Sequence, residues 1–136
     1  MDSPPQIEID LGPPTPVILA MDDDLATLQG ITDALSPHGF NVITAPSWPG
    51  AARWLEEQCF DLVLCGLMLD GPQLVELIAA PSALTTAPVV FLSRNEFLGG
   101  FIGTRGAARF AVLHRPVSGR QLIACVRRWL GIPAKT

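Results

Sequence analysis

The sequence predicts an α/β domain with a five-stranded parallel sheet and helices on both faces, and three observations carry the prediction. Short runs of large apolar and β-branched residues recur along the chain: Val17 to Met21, Val42 to Ala45, Asp61 to Cys65, Val89 to Leu92 and Ala111 to Leu113. Longer amphipathic or turn-rich segments separate them, the order expected of repeated βαβ units. The runs are apolar nearly throughout, as strands covered on both faces are.

The elements follow in order. Residues 1–15 hold Pro4, Pro5, Pro13 and Pro14, with Pro16 next, so an extended arm precedes a domain placed at 16–132, with 133–136 as a tail. After the first strand, Asp22-Asp23-Asp24 supplies a helix cap, and Leu28, Ile31 and Leu35 line one face of a helix from Leu25 to Leu35. Ser36-Pro37-His38-Gly39 ends it. A second helix spans Pro49 to about Gln58, with Ser47 near its N-cap, Ala52 and Leu55 facing inward, and Trp54 covering the sheet. A third runs from about Pro72 to Ala80 on Leu74, Leu77 and Ile78.

The fourth helix falls within Glu96 to Ala108, where Gly99, Gly100, Gly103 and Gly106 each weaken a helix by about 0.5–1 kcal/mol relative to Ala, so it is expected to be short or irregular. Phe97, Phe101 and Ile102 among these glycines either anchor a poor helix to the sheet or form an apolar surface for a partner. The last helix is the best marked. Ser118 and Gln121 form a capping box, Leu122, Ile123, Val126 and Leu130 make the buried stripe, and Gly131 with Pro133 ends it.

Composition excludes several classes of function. At 136 residues the chain suits one domain with its own core, and it has no long uninterrupted apolar stretch to span a membrane. Its net charge of −4 argues against broad capture of nucleic acid, Arg127-Arg128 being the only basic pair. Cys59, Cys65 and Cys125 lack CxxC spacing and read as packing residues rather than redox or metal sites. No basic-then-apolar leader opens the sequence, which makes the cytoplasm the expected location.

In a parallel sheet, functional groups converge beyond the carboxyl ends of the strands. Asp22, Asp23 and Asp24 follow the first strand, Gly66 the third, Ser93 the fourth, and Arg115 with Pro116 the fifth. The segments Val17-Ile18-Leu19-Ala20-Met21-Asp22-Asp23-Asp24, Asp61-Leu62-Val63-Leu64-Cys65-Gly66-Leu67-Met68-Leu69 and His114-Arg115-Pro116 resemble the receiver domain of two-component response regulators, over about residues 17–131. The resemblance implies a flavodoxin-like, doubly wound (βα)5 fold. It also implies a magnesium site at Asp22 and Asp23, a phosphoacceptor at position 66, and phosphate contacts from Ser93 and Arg115.

This sequence departs from that pattern. Gly66 replaces the nucleophilic aspartate, Arg115 replaces a lysine, and Val112 replaces a strand aromatic that swings with the hydroxyl. Phosphoryl transfer needs an oxygen nucleophile in line with the leaving group and a cation beside it, and glycine has no side chain for either task. Magnesium leans on carboxylates, so no cofactor is expected and magnesium binding is expected to be weak or absent. Asp61 lies at the wrong end of its strand, and Asp70 reads as turn chemistry with Gly71-Pro72. Arg115 is expected either to pair with Asp22 or Asp23 or to point to solvent. His38 reads as a surface residue in a turn, and His114, at the end of the fifth strand without a nearby cysteine or second histidine, reads as neither a functional acid nor a ligand.

The resulting expectation is a degenerate, non-enzymatic receiver that acts as a phosphorylation-independent protein-interaction module in two-component signalling. Its partner would be a histidine kinase or another response-regulator component, with a homodimer also considered, and its partner face would be Phe97, Phe101, Ile102 and Val112. One alternative keeps phosphorylation at a non-standard acceptor. Another is a flavodoxin-like domain taking a small anion near Ser93 and Arg115.

Overall fold

The strands are Val17–Met21 (β1), Asn41–Ala45 (β2), Leu62–Cys65 (β3), Val89–Ser93 (β4) and Phe110–His114 (β5), and the helices Leu25–Leu35 (α1), Trp48–Glu57 (α2), Gly71–Ile78 (α3) and Gly119–Leu130 (α4). The computed structural model describes residues 15–78, 85–93 and 110–132. All pairings are parallel, in the order β2-β1-β3-β4-β5. The expected irregular helix at 96–108, with Phe97, Phe101 and Ile102, lies outside the described residues, as do the tail and residues 1–14 of the arm.

Alternation along each strand divides the core into two layers. Leu19, Met21, Val63, Cys65, Val89 and Phe91 meet Ala51, Leu55, Leu74 and Leu77 of α2 and α3 on one face. Ile18, Ala20, Leu62, Leu64, Val90 and Leu92 meet Leu28, Ile31, Leu122 and Val126 of α1 and α4 on the other. Every residue of β3 and β4 is buried, which fits their apolar sequence, broken only by Ser93 at the end of β4.

Helix ends follow from side chains named in the sequence. Asp24 caps α1, accepting from the Ala26 amide at 3.0 Å, and its second oxygen accepts from the Thr27 hydroxyl at 2.9 Å. At α4 the capping box is complete, with Gln121 N donating to Ser118 Oγ and Ser118 N to Gln121 Oε1. Gly131 closes that helix in the left-handed conformation, φ 69°, and Ile132 N donates to Arg127 O at 2.8 Å.

Two local expectations change in α2. Ala51, not Ala52, is the fully buried alanine, because Trp48 opens the helix, packs against the core and sets the phase at i, i+3 and i+7, leaving Ala52 half-buried on the flank. Ser47 is the N-cap residue, yet its side chain makes no capping hydrogen bond.

Candidate functional site

The backbone delivers four side-chain positions to one edge of the sheet by continuing the strand ladder a residue past the strands. Asp22 N donates to Ala45 O at 3.2 Å, Gly66 N to Met21 O at 2.7 Å, and Arg115 N to Ser93 O at 2.9 Å. Positions 22, 66, 93 and 115 therefore converge at the carboxyl end. Asp22, Ser93 and Arg115 border a cavity of about 550 Å³ whose wall also includes Asp23, Met68 and Phe91.

Arg115 spans this edge. Its Nη2 lies 2.5 Å from Asp22 Oδ2 and donates to Gly66 O at 3.2 Å, while its Nε donates to Leu92 O at 3.1 Å. The pair is largely withdrawn from water, the Asp22 side chain being 2% exposed and that of Arg115 18%. The other oxygen of Asp22 accepts from Asp24 N at 2.9 Å, so both carboxylate oxygens are engaged. The Arg115–Pro116 peptide bond is cis.

Gly66 completes the arrangement by having no Cβ. A Cβ built on its backbone would collide with Asp22 Oδ2 and Arg115 Nη2 and would stand 2.9 Å from Asp22 Cγ. The guanidinium occupies the space that any side chain at position 66 would enter.

The remaining sequence-predicted residues have these places. Asp23 is exposed at the rim of the cavity, and Asp24 turns outward as the α1 cap. Thr27 above all, then the Ala26 amide, hold the Asp24 carboxyl below its ordinary pKa. Ser93 is buried at the end of β4, level with the exposed His114 of β5. Val112 is half-buried against the α2/α3 layer, level with Phe91.

Asp61 sits at the opposite edge of the sheet, its Oδ2 accepting from Val17 N at 2.7 Å. Asp70 caps α3, with Gln73 N donating to Asp70 Oδ1 at 2.8 Å and Asp70 N to Gln73 Oε1 at 3.1 Å. The carbonyls of Gly66 and Leu92 are the parts sequence reading missed, since every residue carries a carbonyl and nothing in its identity marks it as a ligand. Cys65 lies under the cavity; burial pushes its thiol up to about 12, and Sγ contacts Leu67 O at 3.7 Å. Cys59 is exposed and Cys125 half-buried.

No group of three or more His, Cys, Asp and Glu among the described residues is placed to hold a metal ion, and no described helix is long and apolar enough to cross a membrane. No protein-family model matches the chain. Over 140 residues it is 28% identical to the Sensor protein GacS of Pseudomonas syringae pv. syringae, covering 96% of this chain and 15% of that protein. The chain thus spans about 15% of the length of the curated relative it matches.

Among solved structures, the adenylate cyclase from Rhodopirellula baltica superposes with a TM-score of 0.72 at 20% identity, covering 87% of this chain and 89% of that one. The CheY-like response regulator receiver domain protein from Methanospirillum hungatei does so at 0.72 and 22%, covering 87% and 95%. The likeness establishes the CheY-like, flavodoxin-like fold that the strand-end pattern anticipated.

Proposed function

We propose that this domain is a receiver-type signalling module whose pocket is fixed by an internal ion pair instead of being switched by phosphorylation. One observation carries the reading: the Arg115 guanidinium lies where a side chain at position 66 would project, bonded to Asp22 Oδ2 and to Gly66 O. A phosphoacceptor needs an oxygen nucleophile at that place, and Gly66 offers none. The residues present do not fit a magnesium ion either. Asp22 has both oxygens engaged, the Gly66 carbonyl is taken by Arg115, and a second positive charge beside the guanidinium is opposed.

The module acts by binding and not by catalysis on this reading. The cyclase chemistry of the Rhodopirellula baltica protein is not carried over, because a shared fold does not transmit a reaction. Resemblance to a segment of a sensor protein supports a protein partner in a signalling pathway, a histidine kinase or another response-regulator component being the leading class. Asp70 is a poor substitute acceptor, its Oδ1 being occupied as a helix cap.

The test is incubation with a small-molecule phosphodonor and magnesium, followed by intact-mass measurement. The expected result is an unchanged mass. A phosphoryl increment abolished by Asp70→Ala or Asp23→Ala would overturn the reading.

A further inference from the structure

On the sheet face away from α2 and α3, a groove of about 750 Å³ runs between the end of α1 and the outer side of α4. Its floor is apolar, from Ala34, Ile123 and Ile132, and its rim is basic, from Arg120, Arg127 and Arg128. Arg120, Ile123 and Arg127 recur at three and four residues, so they share one side of α4. Asp33 is the sole acid lining this groove among the described residues.

Arg127 is the informative member. Its Nε is buried and has no hydrogen-bond partner among the described residues, while its Nη2 lies 3.4 Å from His38 Nδ1. A buried guanidinium donor without an acceptor is costly, and an anionic ligand at the basic rim offsets part of that cost. Such a ligand carries carboxylates beside apolar side chains.

This chain contains one. Residues 1–14 hold Asp2, Glu8 and Asp10 and no Lys or Arg, and within them Ile7-Glu8-Ile9-Asp10-Leu11 alternates apolar with acidic residues. In extended form that pattern sends Ile7, Ile9 and Leu11 to one side and Glu8 and Asp10 to the other. The apolar side matches the floor, and the long arginines of the rim can close over the acidic side.

The tether is also in place. Pro16 O accepts from Asn41 N at 2.9 Å, and Asn41 is only three residues past His38, which lines the groove. Three residues span at most about 11 Å, and residues 11–15 reach about 17 Å, so Glu8 and Asp10 are within range of the rim. Attachment at that distance raises the local concentration of the segment without any further contact.

We propose that residues 7–11 of this chain dock in the α1/α4 groove, with Glu8 and Asp10 paired to Arg127 and Arg128. The docked segment covers a basic apolar surface that an acidic partner would otherwise meet. This inference is independent of phosphorylation and of the pocket at Gly66.

Hydrogen–deuterium exchange on the full chain tests it. Wild type is expected to show protection at residues 119–132 that is lost in Glu8→Gln/Asp10→Gln and in Arg127→Gln/Arg128→Gln, and restored when Glu8→Lys/Asp10→Lys is combined with Arg127→Glu/Arg128→Glu. Recovery by charge exchange separates docking from damage to α4. A fluorescent peptide of residues 5–13 is expected to bind the chain lacking residues 1–14 and to lose binding with Arg127→Gln/Arg128→Gln, with circular dichroism confirming that each variant is folded. Identical exchange in wild type and Glu8→Gln/Asp10→Gln would overturn the proposal. Protection that grows with protein concentration would also overturn it, in favour of a second copy, and protection given only by an added poly-glutamate peptide would reassign the groove to a separate acidic partner.

Discussion

Arg115 and Asp22, 93 residues apart in the chain, meet at 2.5 Å across the carboxyl edge of the sheet, and the absent Cβ of Gly66 is what leaves them room. The pair is nearly dry on the Asp22 side, so its loss is more damaging than loss of a surface bridge.

Replacing Arg115 by Met leaves a buried carboxylate facing one backbone amide. A loss of about 3–5 kcal/mol is expected in urea unfolding. Adding Asp22→Asn removes the stranded charge, so the double variant should be more stable than Arg115→Met alone. A double variant no better than the single one would show that the pair does not hold this edge.

Gly66→Asp puts a carboxylate where Asp22 and Arg115 already meet. Overpacking at such a site costs about 1–3 kcal/mol, and Gly66→Ala should carry most of that cost because the collision begins at Cβ. With a phosphodonor and magnesium, Gly66→Asp should remain largely unmodified while Arg115 stays in place. Combining it with Arg115→Lys shortens one of the two side chains in the way and should recover part of the lost stability. Ready phosphorylation of Gly66→Asp alone would make the glycine the only change that matters.

The fold was legible because its signals are local. Asp24, Ser118, Gln121 and Gly131 each act within a few residues of their own position, and the sheet appeared as five apolar runs of strand length. Ala51 escaped because the phase of α2 is set by Trp48 pressing on the core, a tertiary fact. The choice of Asp22 over Asp23 was equally hidden. It depends on Asp22 N bonding to Ala45 O at the end of the sheet, which buries the first aspartate of the run and leaves the second exposed.

The thiols should separate by reactivity. Cys59 is exposed and should be alkylated first, while Cys65, with its pKa pushed up to about 12, should react only on unfolding. A thiol with a raised folded pKa stabilises fully below its unfolded value near 9.0, and that contribution is lost as pH rises toward about 12. A Cys65→Ala variant should therefore lose less stability than wild type between those values. Equal alkaline slopes in urea titrations would contradict this.

Asp24 gives the opposite sign. Its folded pKa is lowered, first by the Thr27 hydroxyl and then by the Ala26 amide, so its stabilising effect is present above the ordinary carboxylate pKa and disappears as pH falls through the folded one. Thr27→Val removes the larger cause. Carboxyl-carbon NMR should show the Asp24 titration moving up toward 3.8 in that variant, and an unmoved titration would assign the shift elsewhere.

The ladder bonds Asp22 N to Ala45 O, Gly66 N to Met21 O and Arg115 N to Ser93 O involve only main-chain atoms. The scaffold thus brings the backbone of positions 22, 66 and 115 to one edge through bonds that no side chain makes. The side chains there are coupled to one another and lie beyond the strands, so a protein engineer who exchanges Asp22, Gly66 and Arg115 as one set could install an anion trap or a metal chelate at this edge.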